Sequence, residues 1–461
     1  MGAPFEVEQL LRATLKPALG CTEPVAVASA VAAAVQAPMG WLPGRTDAFV
    51  GDLDQKDIDC VRVAVNRNVF KNAFSVTIPN AGGHKGIVMA AALGPWCNPD
   101  AGLEIFTGVD ERTVLAAQHL IERGAVSVEV VAAEHTNLYI EASVRFMRSG
   151  SVREGSSLLE DEHTNLILVK SGGQEVFRRV PLGPSPTASP MEGLAMLTFS
   201  DLLKMVEDLS EGSRDLIRQT IDLNRRAAES GLSEPLGLGI GFYGLEDRES
   251  PGSAAQLSGA AAAGSDARMS GHPVTVMSSA GSGNQGIVAT MPVLEYCREK
   301  GTDEEVLLRA VALSHLVTLY ITTHMGYLTS LCGVAIKAGL GAACGIVYAM
   351  GGRSAEVQRA VKIMAATLSG VICDGAKPGC ALKVKSAADM AVQAASLAMK
   401  RVEVSGENGI VADTAEETIR NLGQLNESMK DADEKVVELL RQKMVHPSPR
   451  SDSDTTQTPA S

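Results

Sequence analysis

Aromatic residues make up only 4% of the 461 residues, and basic residues fall short of acidic ones, 41 against 54. The resulting net charge of −13, with no basic stripe anywhere, argues against a nucleic-acid binder, because neutralising phosphates takes concentrated Lys and Arg. A long, clean hydrophobic run is also missing. The most apolar stretch, 333–350, carries Lys337 and several glycines, so a buried core helix is expected there rather than a membrane span of ~20 residues. The first residues have neither a basic n-region nor an apolar h-region, so no signal peptide is expected. Eight cysteines are scattered without the spacing of a small disulfide scaffold, which makes a reducing cytoplasm the expected setting.

What is plentiful is Ala and Gly, the composition of closely packed helices, in a chain long enough for two or three domains. The periodicity predicts an α+β protein: N-terminal helices and an antiparallel-sheet domain, followed by a mainly α-helical C-terminal domain. Residues 1–40 read as helices packed on the helical domain, with the Cys21 motif between them. Residues 41–185 read as the α+β domain, where Val61, Val63 and Val65 alternate with polar neighbours, as do Ile140, Ala142, Val144 and Phe146. Strands are also expected at 127–131, 166–169 and 74–78, and a helix at 112–123. Prolines and glycines mark 186–197 as a linker. Residues 198–445 form the helical domain, in which the Gly/Ala/Ser-rich stretch 250–271 reads as a flexible loop, and 446–461 a disordered tail.

Several short stretches carry chemistry. In Gly20-Cys21-Thr22-Glu23-Pro24, Pro24 suits a first helical turn, which places Cys21 beside a helix N-terminus, where the dipole favours a thiolate. Lys71 and Asn72 could face a substrate carboxylate. The loop Gly281-Ser282-Gly283-Asn284-Gln285-Gly286 before an apolar helical run is an anion site by geometry. It has no Gly-Lys-Ser/Thr of a P-loop, and neither the preceding strand nor the spacing of a dinucleotide fingerprint, so a carboxylate fits it better than a nucleotide. Glu134-His135-Thr136-Asn137-Leu138 recurs as Glu162-His163-Thr164-Asn165-Leu166.

Cysteines hold the strongest signal. Cys373 and Cys380 bracket a turn shaped by Asp374-Gly375 and Pro378-Gly379, and Cys332 opens the apolar stretch before them. Cys344 lies 12 residues beyond Cys332, ~18 Å along a continuous helix, so the economical set is Cys332, Cys373 and Cys380. Cys60, Cys97, Cys297 and Cys344 are left as packing residues. Soft thiolates suit zinc or an iron–sulfur cluster. Zinc would require a fourth ligand such as His324, whereas three thiolates on a [4Fe–4S] cluster leave one iron open to substrate.

Together, the Cys21 motif, Asn68 with Lys71-Asn72, His163-Thr164-Asn165, Asp266-Ala267-Arg268-Met269, the Gly281–Gly286 loop and the Cys373–Cys380 turn resemble the L-cysteine desulfidase family. That family is related to the alpha part of iron–sulfur L-serine dehydratases, and the resemblance runs from about Gly20 to Met399. It implies a lyase that converts L-cysteine to pyruvate, ammonia and sulfide with a [4Fe–4S] cluster. Cys332, Cys373 and Cys380 would hold the cluster, and Cys21 would be a base or a switchable fourth ligand. Thr22, Glu23, Lys71, Asn72, Arg268, Ser282, Asn284 and Gln285 are the expected substrate-binding residues. L-Serine or another β-substituted amino acid is the alternative substrate, and a structural or sensor metal protein the alternative class. The expected partner is a small amino acid, with a homo-oligomer admitted and neither nucleic acid nor membrane.

Overall fold

A computed structural model describes residues 5–44, 52–133, 136, 138–179, 190–244 and 254–445. Two hydrophobic cores lie behind the α+β architecture. The first is built on a six-stranded sheet. Its strands are β2 (Ile58–Val65), β3 (Val126–Val130), β4 (Tyr139–Arg148), β5 (Ser151–Glu160), β6 (Leu166–Ser171) and β7 (Gln174–Arg178), in the order β3-β2-β4-β5-β6-β7. The ribbon strands β1 (Leu15–Leu19) and β8 (Thr275–Ser279) pair separately, antiparallel, with Leu15 opposite Ser279.

Alternation in β2 and β4 buries Val61, Val63 and Val65 with Ile140, Ala142, Val144 and Phe146 on one face. The sheet differs from the expected antiparallel one in a single pair. β2 and β3 run parallel, Val63 opposite Val128, because helices at Ile87–Leu93 and Glu111–Glu122 occupy the connection between them and make it a crossover rather than a hairpin. The segment 74–78 is not a strand, and only an isolated bridge joins Thr77 to Lys85.

The N-terminal 40 residues divide between the two cores. Helix Val7–Thr14 contributes Leu10 and Leu11 to the helical core. Helix Thr22–Gln36, expected on the same side, instead packs across β4 and β5. Its Ala/Val surface is buried on every side, so it needs enclosure by a sheet and helices together. Close approach is enforced at Gly155, where a Cβ would lie 2.0 Å from the Ala34 carbonyl oxygen, and Ser157 Oγ donates to the Ala30 carbonyl at 2.7 Å.

The helical half surrounds Gly283–Lys300 and Glu304–Met325. The latter alone among the described residues is long and apolar enough to cross a membrane, with mean hydropathy 1.5, but 78% of that window is buried in the fold. The stretch 250–271 is not a loop where it is described: Ala254–Met269 is a helix, buried from Leu257 onward. Of the expected linker, 186–189 lie outside the described residues. Pro190–Ala195 is helical with Leu194 in the core, and Thr198 caps the next helix. The expected tail, 446–461, also lies outside them. Helix Lys430–Val445 returns to the first half, where it packs on Arg67–Ala73 and adds Val437 to the sheet core.

Candidate active site

Two segments distant in sequence deliver the site from the β1–β8 ribbon. β1 leads through Gly20 to Cys21, the N-cap residue of Thr22–Gln36. β8 leads through Ala280 and Gly281, both at positive φ, to Ser282, the N-cap of Gly283–Lys300, whose Oγ accepts the Gln285 N–H at 3.4 Å. The expected absence of a strand before this glycine loop is therefore corrected: β8 ends two residues before Gly281. The two deliveries are tied where Thr22 Oγ1 donates to the Gly281 carbonyl at 2.9 Å.

Cys21 is buried, and its Sγ donates to Glu23 Oε2 at 3.0 Å. Burial first, and the Glu23 carboxylate second, push this thiol well above its ordinary range. Burial and the Glu23 carboxylate thus act against the thiolate expected at this helix terminus. On Glu23, burial pushes the carboxyl upward, but the His163 imidazole and Cys21 thiol hold it down at about 2. Asn72 Nδ2 donates to Glu23 Oε1 at 3.1 Å. His163 Nε2 lies 3.7 Å from the same oxygen, an ion-pair separation too long for a hydrogen bond, and has no other partner.

Arg268 is buried to 3% exposure. Its Nη1 donates to Asn284 Oδ1 at 3.2 Å, its Nε has no partner, and no carboxylate pairs with it among the described residues. Gln285 Oε1 is likewise buried and unpartnered. Asp266 does not compensate the guanidinium, because its carboxylate accepts the Leu238 and Gly241 N–H groups at 3.2 and 2.9 Å.

Backbone pairing brings the Cys332 and Cys373 segments side by side, and the Cys380 thiol also acts electrostatically on Cys332. Cys332 N–H donates to the Val371 carbonyl and Cys373 N–H to the Ser330 carbonyl, both at 2.7 Å, around the Leu331–Ile372 bridge. Cys373 Sγ lies 3.7 Å from Asn72 Oδ1, and Cys380 packs with Cys21, Val76 and Met269. Burial and the neighbouring Cys373 thiol push Cys332 up to about 11. Cys344 lies fully buried in the helical core.

Among the described residues, no three His, Cys, Asp or Glu side chains stand close enough together to hold a single metal ion. His324 packs edge-on against Tyr320, ring centroids 4.8 Å apart, rather than completing a zinc set. Three soft thiol donors, two of them acting on the buried Lys337 ammonium, suit an iron–sulfur group.

Residues 100–438 match the family described as serine dehydratase alpha chain. The chain belongs to the serine dehydratase alpha-chain family. Relatives span nearly its whole length. A UPF0597 protein of Desulfotalea psychrophila is 36% identical over 454 residues, covering 95% of this chain and 99% of the relative. A UPF0597 protein of Geobacter sulfurreducens is 37% identical over 445 residues, covering 94% and 97%.

Of the residues singled out in the sequence of this serine dehydratase alpha-chain relative, Cys21, Thr22, Glu23 and Asn72 form one hydrogen-bonded group, and Arg268 and Asn284 form another. Ser282 spends its hydroxyl on the helix cap. Lys71 is the exception. Its ammonium, buried to 1% exposure, is paired with Asp433 and is not presented to a substrate carboxylate. Two residues were absent from the candidate set. His163, whose ring lies against Gly281, was signalled by the repeated Glu-His-Thr-Asn-Leu pentapeptide. Lys337, fully buried, donates to the Gly326 and Tyr327 carbonyls at 2.9 and 3.0 Å. Burial lowers it to about 8, against the opposing pull of Cys373 and Cys332. Its signal was a lone charge in the most apolar stretch.

Proposed function

We propose that the protein is a lyase of the iron–sulfur dehydratase type that eliminates the β-substituent of L-cysteine, giving pyruvate, ammonia and sulfide. The observation that carries the reading is Arg268: a buried guanidinium with no carboxylate partner among the described residues is costly unless a ligand supplies the anion. Asn284 orients it. The unpaired amides at the start of Gly283–Lys300 add a second set of donors, so a substrate carboxylate is clamped by fork and helix terminus together. A purely structural metal protein has no use for such a clamp.

A [4Fe–4S] cluster held by Cys332, Cys373 and Cys380 would supply a Lewis acid for the departing sulfur or oxygen. The chain's own groups handle the rest. Cys21 stands within electrostatic reach of Arg268 and in contact with the Cys380 neighbourhood, positioned to exchange the α-proton. Its Sγ–H is held by Glu23, whose other oxygen stands 3.7 Å from His163 Nε2. Loss of the α-proton and the β-substituent leaves aminoacrylate, whose imine tautomer takes up water to give the keto acid and ammonia. L-Serine is the second reading, favoured by the family's name, with water leaving in place of sulfide.

An anaerobic assay decides between them by measuring sulfide and keto-acid release over a panel of β-substituted amino acids. Brown protein with about four irons that releases both from L-cysteine supports the proposal, whereas keto acid from L-serine alone selects the second reading. Cys373→Ala should abolish colour and turnover, and retained turnover would falsify the assigned ligand role. Cys21→Ala should keep colour and lose activity; loss of colour assigns it to the cluster instead.

A further inference from the structure

Asp433, on the C-terminal helix Lys430–Val445, is buried. One of its oxygens accepts from Lys71 Nζ and the other from Ser330 Oγ. These two donors sit on opposite halves of the molecule, and each flanks the thiol site. Ser330 accepts the Cys373 N–H through its carbonyl and stands two residues before Cys332. Lys71 precedes Asn72, which faces Cys373. Its carbonyl oxygen also supports the cysteine turn, because a Cβ on Gly375 would lie 2.2 Å from it. Neither Lys71 nor Ser330 has another route to the opposite half among the hydrogen bonds of the described residues.

From this arrangement we infer that Asp433 is a positioning residue for the three-thiol site. It makes the C-terminal helix a clasp that fixes the Lys71 and Ser330 flanks, and through them the segments carrying Cys332, Cys373 and Cys380. The inference rests on the three-cysteine reading above, but concerns what holds the thiols rather than what they bind. A buried carboxylate taking a hydrogen bond on each oxygen is geometrically demanding, so losing it releases both flanks at once. The cavity of about 420 Å³ between this helix and Arg67–Ala73 abuts the clasp at Ser330 and Asp433, and none of the three cysteines lines it. Release of the helix therefore has room on that side.

The test is alkylation of the full-length protein as isolated, with a pulse of iodoacetamide and mass spectrometry of each cysteine peptide. In Asp433→Ala, labelling of Cys332, Cys373 and Cys380 should accelerate by about tenfold or more through local opening. Labelling of the deeply buried Cys97, Cys297 and Cys344 should stay at the wild-type rate. Asp433→Asn should accelerate labelling of the three less than Asp433→Ala, because its amide can still accept from Lys71 and donate to Ser330 although the counter-charge of the buried ammonium is lost. Unchanged labelling of the three in Asp433→Ala overturns the clasp, as does equal acceleration of all six, which is general loosening. Should Asp433→Ala fail to accumulate as folded protein, Ser330→Ala is read the same way, with a smaller acceleration confined to the three. Turnover retained in Cys373→Ala would sink the catalytic reading while leaving these rates untouched, so the two failures are separable.

Discussion

The Arg268 guanidinium donates to Asn284 Oδ1 at 3.2 Å and, among the described residues, meets no carboxylate. Helix Ala254–Met269 carries the first residue and the first turn of Gly283–Lys300 the second, so their pairing would fix the proposed carboxylate clamp.

Arg268→Met should lower kcat/KM for the amino-acid substrate by about 100-fold, the loss of a charge-assisted contact worth ~3 kcal/mol. Its melting temperature should hold or rise, since an uncompensated buried cation disappears. Arg268→Lys should fall between, keeping the charge without the fork. Steady-state kinetics beside a thermal melt check both, and an unchanged kcat/KM in the methionine variant removes Arg268 from the site.

Two neighbouring glycines should fail differently. A Cβ on Gly286 would lie 1.9 Å from the Met277 carbonyl oxygen, which is backbone and has nowhere to go. Gly286→Ala should therefore cost about 1–3 kcal/mol or more of stability. At Gly283 the obstacle is Arg268 Nε at 2.3 Å. Gly283→Ala should displace the guanidinium and weaken substrate affinity more than stability. Denaturant midpoints and KM values for the pair test the contrast.

Two buried cysteines should diverge as well. Cys344→Ala should retain iron and turnover while losing about 1 kcal/mol of packing. Cys332→Ala should lose both with its secondary structure intact. Iron analysis and circular dichroism on the two variants separate ligand from packing residue.

His315 gives the acid response of the helical core. It is fully buried, with Nε2 3.1 Å from Thr290 Oγ1, and burial lowers it from 6.5 to about 3. The folded state thus holds the neutral ring while the unfolded chain takes up a proton below about 6.5. This contribution to stability is complete above 6.5 and falls as pH drops toward 3, by about 1.4 kcal/mol per pH unit once the unfolded ring is protonated. His315→Gln should flatten the loss between pH 6 and 4 in denaturant titrations. An identical slope in the variant would show that other groups set the acid limit.

The cysteine turn is legible because Asp374-Gly375 and Pro378-Gly379 dictate how the chain between two thiols must bend. The length argument keeps Cys332 and Cys344 apart without choosing between them, and it is the Leu331–Ile372 bridge that sets Cys332 beside Cys373. The surroundings of Arg268 are not legible. A run of Ala, Gly and Ser is the composition of a loop, and equally of a helix pressed against neighbours, as at Gly231, where a Cβ would lie 2.1 Å from the Ala263 carbonyl oxygen. Helix Thr22–Gln36 can be read as a helix but not assigned a partner, because a surface apolar on every side points nowhere. β2 and β3 show the same alternation whichever way they run, so their parallel pairing is fixed only by the crossover between them. Lys71 looks available for a substrate until Asp433, 362 residues later in the chain, takes its charge.

Among the described residues, Leu15–Leu19 has its hydrogen-bonding edge matched only by Thr275–Ser279. On the ribosome the first of these segments emerges long before the second has been translated. The sheet-bearing half can bury its own apolar surface in the meantime, but Cys21 and Glu23 must wait beside an unfinished ribbon. The Cys21–Gly281 arrangement can therefore be completed only after Ser279 and Gly281 have been translated.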